Sequence, residues 1–122
     1  MITVLVIAGD PAVRLTVKRV LERAGLAVIV VADGLTALRR LASLKMDLVI
    51  CETAMPGPTG ERAIAEIARA DPATRILALS DKDRAIPGAP PGAVAMLGKP
   101  FTESELLNAV RRSLARPLTG SA

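Results

Sequence analysis

The chain has 122 residues, of which 51% are hydrophobic and 23% are charged, with a formal net charge of +4 and a pI near 10.0. This length suits one domain with a sizeable core, and no apolar run approaches the roughly 20 residues of a membrane-spanning helix. Histidine is absent and Phe101 is the single aromatic residue, which excludes histidine-based catalysis and the common imidazole metal sites. No signal-peptide pattern opens the chain, so we expect a cytoplasmic protein.

The basic residues do not form one cluster. The chain has 16 Lys and Arg residues, and they are spread over several predicted helices. Dispersed charges of this kind are typical of solvated helix faces, whereas nucleic-acid binding requires a concentrated basic surface. We therefore do not expect a nucleic-acid partner. The one cysteine, Cys51, lies in an apolar run, which predicts a buried thiol without a redox or metal role.

Strand and helix patterns alternate along the chain. Short runs of β-branched and aliphatic residues predict five strands, at residues 3–8, 27–31, 47–51, 75–79 and 93–97. Helix signals lie between the strands and after the last strand. Asp10-Pro11 opens a first helix that Gly25 ends, and a second helix follows Asp33. A third helix follows Thr59 and stops at Asp71-Pro72, and Thr102 and Glu105 have the spacing of a capping box for the last helix. Most strand runs lack polar alternation, which indicates a parallel sheet covered on both faces.

This alternation predicts an α/β fold, a flavodoxin-like doubly wound sheet of five parallel strands in the order 2-1-3-4-5. The functional crevice of such a sheet lies at the carboxyl ends of strands 1 and 3. Ala8-Gly9-Asp10 and Glu52 follow those two strands, and the neighbouring strands bring Ser80 and Lys99 to the same rim. Between strands 4 and 5, residues 81–92 contain three prolines and two glycines, so a helix there should be short or missing.

Several short motifs together resemble the receiver domain of two-component response regulators. They are Val4–Ile7, Asp10–Arg14, Ala32-Asp33-Gly34, Asp47–Ile50, Met55-Pro56-Gly57, Gly60 and Lys99-Pro100-Phe101. The resemblance extends from about Ile2 to Arg112. We expect residues 1–116 to form one receiver-like domain and residues 117–122 to be a tail or the start of a linker.

The resemblance implies a chemistry against which this chain can be compared. Receivers accept a phosphoryl group from a histidine kinase onto an aspartate after strand 3, with Mg²⁺ held by two acidic residues after strand 1. A hydroxyl residue and a lysine then hold the phosphoryl oxygens. Here Ser80 and Lys99 match these two phosphate-sensing positions, and the resemblance implies a cis Lys99-Pro100 bond.

The remaining family positions depart from this pattern. Glu52 stands at the phosphoacceptor position, and Ala8 and Gly9 stand where the acidic pair would be. Met96 occupies the aromatic switch position. We therefore expect no catalytic residue, no metal site and no cofactor, and weak or absent Mg²⁺ binding. Asp10 is expected to cap the first helix.

Glu52 allows two interpretations from the sequence. It is either a solvated strand-end residue or a permanent partner of Lys99, whose charge would then favour the ionised carboxylate. Its extra methylene would extend the negative charge toward the place of a phosphoryl group, so that Glu52 would partly mimic the phosphorylated state.

Three classes of function remain open at this point. The first is a pseudo-receiver, a signalling domain that is not an enzyme and binds a histidine kinase, a phosphotransfer protein or an effector protein. The second is an active receiver with atypical phosphorylation, which the missing acidic pair disfavours. The third is a small-ligand protein of flavodoxin-like fold, disfavoured by the lack of a glycine-rich phosphate loop and of aromatic residues. The sequence does not determine the oligomeric state.

Overall fold

The computed structural model describes residues 1–54, 60–81 and 92–115, and these residues form five strands and four helices. The strands are β1 (Thr3–Ile7), β2 (Ala27–Val31), β3 (Leu48–Glu52), β4 (Arg75–Asp81) and β5 (Ala95–Lys99). The helices are α1 (Pro11–Arg23), α2 (Gly34–Leu41), α3 (Gly60–Ala70) and α4 (Glu103–Ala115). None of the helices in the described ranges combines the length and the apolar content of a membrane-spanning segment.

All strand pairings are parallel, and the sheet order is β2-β1-β3-β4-β5. The predicted fold class and strand order are therefore confirmed. The segment in which we predicted a short or missing helix lies outside the described residues except for its ends, and so does the motif Met55-Pro56-Gly57.

The sheet carries a separate hydrophobic layer on each face. One layer joins strand residues to α1 and α4, and its members include Val6, Leu21, Ile50, Leu79 and Leu106. The other joins the alternate strand residues to α2 and α3, and includes Ile7, Ala37, Val49, Ile64 and Ile67. Because both faces are covered, the strands can be apolar throughout, which is why their sequences lack polar alternation.

Side-chain caps begin α1 and α4 where the sequence predicted them. Asp10 accepts a hydrogen bond from the Ala12 amide at 2.8 Å and caps α1. Thr102 and Glu105 form the reciprocal capping box of α4, with amide-to-side-chain distances of 2.8 and 3.1 Å. At the end of α1, Gly25 has a φ of 88°, a conformation that suits glycine.

Four of the predicted strand ranges differ from the structure. β1 ends at Ile7, one residue earlier than expected. β5 lies two residues later than expected, β3 extends one residue further to include Glu52, and β4 continues to Asp81. The predicted ends of β4 and β5 came too early because Asp81 and Lys99 are polar and do not continue the apolar pattern. Both residues nevertheless belong to the strands, since they are neighbours in the β4–β5 ladder.

Candidate functional site

Glu52 is the last residue of β3, at the carboxyl end of the central strand. Its side chain is only 3% exposed, so the interpretation as a solvated glutamate is wrong. One carboxylate oxygen accepts a hydrogen bond from the backbone amide of Asp10 at 3.2 Å. The other oxygen accepts a hydrogen bond from the Lys99 ammonium, which confirms the predicted pair. A buried carboxylate with a cation and an amide donor is thus the centre of the site.

Lys99 reaches Glu52 from the end of β5, on the far side of β4. Its ammonium also lies 3.6 Å from a carboxylate oxygen of Asp81, its direct neighbour in the ladder. Burial by itself lowers the pKa of Lys99, but the hydrogen bond and charge of Glu52, with help from Asp81, outweigh it and raise the pKa. Lys99 is therefore held as a cation. The Lys99-Pro100 bond is cis, as predicted.

The turn between β1 and α1 carries no side-chain oxygen at the two positions where other receivers would have the acidic pair. Ala8 is fully buried, and Gly9 has no side chain. Their carbonyl oxygens instead accept hydrogen bonds from one guanidinium nitrogen of Arg14, at 2.6 Å for Ala8 and 3.2 Å for Gly9. Asp10 is occupied as the α1 cap, as predicted. Sequence analysis missed the role of Arg14, because a bond to backbone carbonyls leaves no residue pattern.

The other predicted positions lie around this centre. Ser80 is 5% exposed and lies in β4 opposite Gly98. Among the described residues, no hydrogen bond joins the Ser80 hydroxyl to Glu52 or Lys99. Met96 is half-buried and packs against the core layer of α2 and α3. The structure therefore brings Glu52 into contact with Lys99 and with the Asp10 amide, while Ser80 lies one residue further along β4 than the ladder partner of Glu52 and Met96 packs against the core.

Two buried neighbours of Glu52 complete the surroundings. Cys51 is a free buried thiol, as predicted, and burial together with the negative charge of Glu52 raises its pKa to about 12. Such a thiol is a poor nucleophile. Thr53 is 2% exposed, and among the described residues its hydroxyl oxygen is the one buried side-chain nitrogen or oxygen atom without a hydrogen-bond partner.

Helix α3 begins directly against the end of β3. The Gly60 amide donates to the Thr53 carbonyl at 3.0 Å. A Cβ at position 60 would collide with the Glu52 carbonyl and would lie 2.7 Å from the Thr53 Cα. Glycine is therefore required by this approach of two backbones. The contact limits how far the Glu52–Thr53 backbone can move toward α3.

A family model described as the response regulator receiver domain matches residues 4–111. The chain belongs to this family. Among curated proteins, it is 32% identical over 118 residues to the DNA-binding transcriptional regulator NtrC of Rhizobium meliloti strain 1021. The aligned region covers 94% of this chain and 24% of that protein. It is also 32% identical to the DNA-binding response regulator MtrA of Mycolicibacterium smegmatis, over 93% of this chain and 50% of that protein. This receiver chain thus spans about a quarter to a half of these relatives.

Solved receiver structures have the same fold. The chemotaxis response regulator CheY4 of Vibrio cholerae superposes with a TM-score of 0.84 at 29% identity, covering 93% of this chain and 98% of that one. The response regulator TrrA of Thermotoga maritima, solved in complex with Mg²⁺ and BeF, gives a TM-score of 0.84 at 26% identity, over 93% and 99% of the two chains.

The residues of this receiver do not fit a Mg²⁺ ion in the way the family implies. Mg²⁺ favours anionic oxygen ligands in octahedral geometry. Positions 8 and 9 offer no carboxylate, their carbonyl oxygens already bind Arg14, and Glu52 already binds Lys99. Within the described ranges, no group of three or more Cys, Asp and Glu side chains could hold a metal ion.

Proposed function

We propose that this chain is a pseudo-receiver, a signalling domain of a two-component pathway that binds proteins and is not phosphorylated. One observation carries the proposal: the carboxylate at the phosphoacceptor position is 3% exposed and already bound to Lys99 and to the Asp10 amide. Membership of the receiver family supports the pathway, and the occupied acceptor supports the absence of phosphoryl transfer.

Charge explains why this acceptor should be inert. An attacking carboxylate needs a free oxygen, and its anionic phosphoryl donor needs a cation that neutralises the charge developing between them. Both oxygens of Glu52 are engaged. Lys99, which would hold the transferred group, is already paired with Glu52. A donor would therefore have to break a buried ion pair before any reaction, without the carboxylates that hold a metal.

The same pair gives the domain a fixed state. Glu52 places one negative charge against Lys99, where a phosphorylated aspartate would place about two. We propose that Glu52 partly substitutes for the phosphoryl group, with Ser80 retained beside it, and that Met96 reports no switch because it packs in the core. The domain, which we place at residues 1–116, would then present one constant surface in the cytoplasm.

The partner that we propose is a protein, either a histidine kinase, a phosphotransfer protein or an effector. NtrC and MtrA are described as DNA-binding, but this chain matches only 24% and 50% of them. Several basic side chains here are engaged in exposed ion pairs, such as Lys18 with Glu22 and Arg62 with Glu66. We therefore assign no DNA contact to this domain.

Phosphoryl transfer provides the first test. The wild-type domain, Glu52→Asp, and the triple variant Ala8→Asp, Gly9→Asp, Glu52→Asp would be incubated with radiolabelled acetyl phosphate and Mg²⁺, and with a phosphorylated histidine kinase. We expect no label on wild type or on Glu52→Asp, and label on the triple variant. Circular dichroism checks that each variant is folded.

A second measurement makes the test independent of the donor. BeF₃⁻ with Mg²⁺ is titrated into the same three proteins while the amide spectrum of the domain is recorded. We expect perturbation of the β1, β3 and β5 ends in the triple variant alone. Label on the wild-type protein, or full restoration by Glu52→Asp alone, would refute the proposed function.

A further inference from the structure

Arg14 and Glu52 contact opposite ends of a single peptide group. The Gly9 carbonyl oxygen accepts from the Arg14 guanidinium at 3.2 Å, and the Asp10 amide of the same peptide donates to Glu52 at 3.2 Å. The order of groups is therefore guanidinium, carbonyl, amide and carboxylate. A cation on the oxygen and an anion on the hydrogen both act on the dipole of this peptide in the same direction.

The guanidinium is suited to hold this turn. It is always charged and donates from a rigid planar fork. Its nitrogen also binds the preceding carbonyl, that of Ala8, at 2.6 Å, so two consecutive carbonyls at the end of β1 have one common donor. Ala8 is itself fixed by the sheet, because its amide donates to the Val31 carbonyl at 3.1 Å. Arg14 thereby fixes the backbone that follows the last paired residue of β1.

Without this donor, the peptide after Gly9 would have more freedom. Glycine permits backbone orientations that other residues avoid. The Asp10 side chain caps the Ala12 amide and does not fix the peptide that precedes Asp10. A rotation of that peptide would turn the Asp10 amide away from Glu52. The buried carboxylate would then lose a hydrogen-bond donor, and leaving a buried acceptor unpaired costs more free energy than a typical hydrogen bond contributes.

We infer that Arg14 is a positioning residue: it orients the Gly9–Asp10 peptide so that its amide binds the Glu52 carboxylate. Arg14 thus acts on Glu52 through the backbone, as a second cation that does not touch it. The inference rests on the proposed function only for its signalling meaning, since its test measures the peptide itself and uses no phosphoryl donor.

The test compares Arg14→Met and Arg14→Lys with Arg19→Met, a control in which an exposed arginine of the same helix loses its charge. Amide hydrogen exchange and amide proton shifts are recorded for each protein by NMR. In Arg14→Met, we expect the Asp10 amide to exchange at least about tenfold faster and to shift upfield, as for a lost hydrogen bond to a charged group. Amides of β3 and β4 should match those of the control. The change at the Asp10 amide should be smaller in Arg14→Lys than in Arg14→Met.

Glu52→Gln gives the second arm of the experiment. In the wild-type background, it should shift the Asp10 amide, because the charged acceptor is lost. In the Arg14→Met background, that shift should shrink or disappear, since the amide no longer points at residue 52. Should Arg14→Met fail to fold, Arg14→Lys carries the same comparison. The inference is overturned if the Asp10 amide is unchanged in the Arg14 variants, if protection falls equally throughout the domain, or if the Glu52→Gln shift is the same in both backgrounds.

Discussion

Unequal burial of Glu52 and Lys99 predicts unequal costs for removing one charge or the other. The Glu52 side chain is 3% exposed and that of Lys99 is 20% exposed. In Lys99→Met, the buried carboxylate retains the Asp10 amide at 3.2 Å but, among the described residues, no cation in direct contact with it. Removing one partner of a buried pair costs about 3–5 kcal/mol. Because Lys99 is partly hydrated, we expect the lower end, a loss of about 3 kcal/mol in the free energy of unfolding.

Removing the carboxylate charge should cost less. In Glu52→Gln, the glutamine side chain has nearly the same volume as glutamate and retains one acceptor oxygen. The Lys99 side chain is partly exposed to solvent, and its ammonium lies 3.6 Å from Asp81. We expect a loss of about 1 kcal/mol. The double variant should lose less than the sum of the single changes, because it contains no unpaired buried charge.

Urea unfolding at pH 7, followed by circular dichroism, measures all three variants. Lys18→Met is the matched control, since Lys18 pairs with Glu22 on the surface at 3.5 Å and its removal should cost at most about 0.5 kcal/mol. Equal losses for Lys99→Met and Glu52→Gln would contradict the burial argument. Additive losses would show that the two side chains do not depend on one another.

Alkaline pH tests the same pair without a second mutation. The pKa of Lys99 is raised in the folded protein above its ordinary value of 10.5. A cation with a raised folded pKa stabilises fully below its unfolded pKa, and that stabilisation is lost as pH rises through the folded value. The difference in stability between wild type and Lys99→Met should therefore be constant at neutral pH and shrink above about pH 10.5. Comparing the two proteins cancels the titration of Cys51, and a constant difference at all pH values would refute the assignment.

Three further outcomes follow from other contacts. Gly60→Ala should lower the free energy of unfolding by at least about 3 kcal/mol, because its Cβ would meet the backbone of Glu52. A loss below about 1 kcal/mol in urea unfolding would contradict that close approach. Thr102→Ala should cost about 1 kcal/mol through the capping box with Glu105, with Thr102→Ser as a nearly neutral control; equal losses would argue against the hydroxyl. Cys51 should react with a thiol reagent at pH 8 only as fast as the protein unfolds, since its pKa is about 12, and rapid labelling of the folded protein would be inconsistent with its burial.

The sequence was sufficient for the architecture because both layers of the fold leave local patterns. Uninterrupted apolar runs indicated strands covered on both faces, and Asp10-Pro11 and the Thr102–Glu105 spacing indicated helix starts. The ends of β4 and β5 were less visible. Asp81 and Lys99 continue these strands although they are polar, because their backbones pair with one another across the ladder.

The site was only half predictable. The Glu52–Lys99 pair follows from topology, since two strand ends on one rim bring opposite charges together. The Asp10 amide and the Arg14 guanidinium could not be found in this way. One is a backbone group that every residue except proline possesses, and the other binds backbone oxygens, so neither interaction depends on a particular residue at its partner position.

The two carboxylates beside Lys99 should respond differently to ionic strength. Asp81 is 49% exposed and 3.6 Å from the ammonium, whereas the Glu52 side chain is nearly enclosed. At about 1 M salt, where the screening length falls to roughly 3 Å, the attraction of Asp81 is largely lost, while a buried pair is screened far less. Raising the ionic strength should therefore weaken the Asp81 contact at the rim of this site and leave the Glu52–Lys99 pair in place.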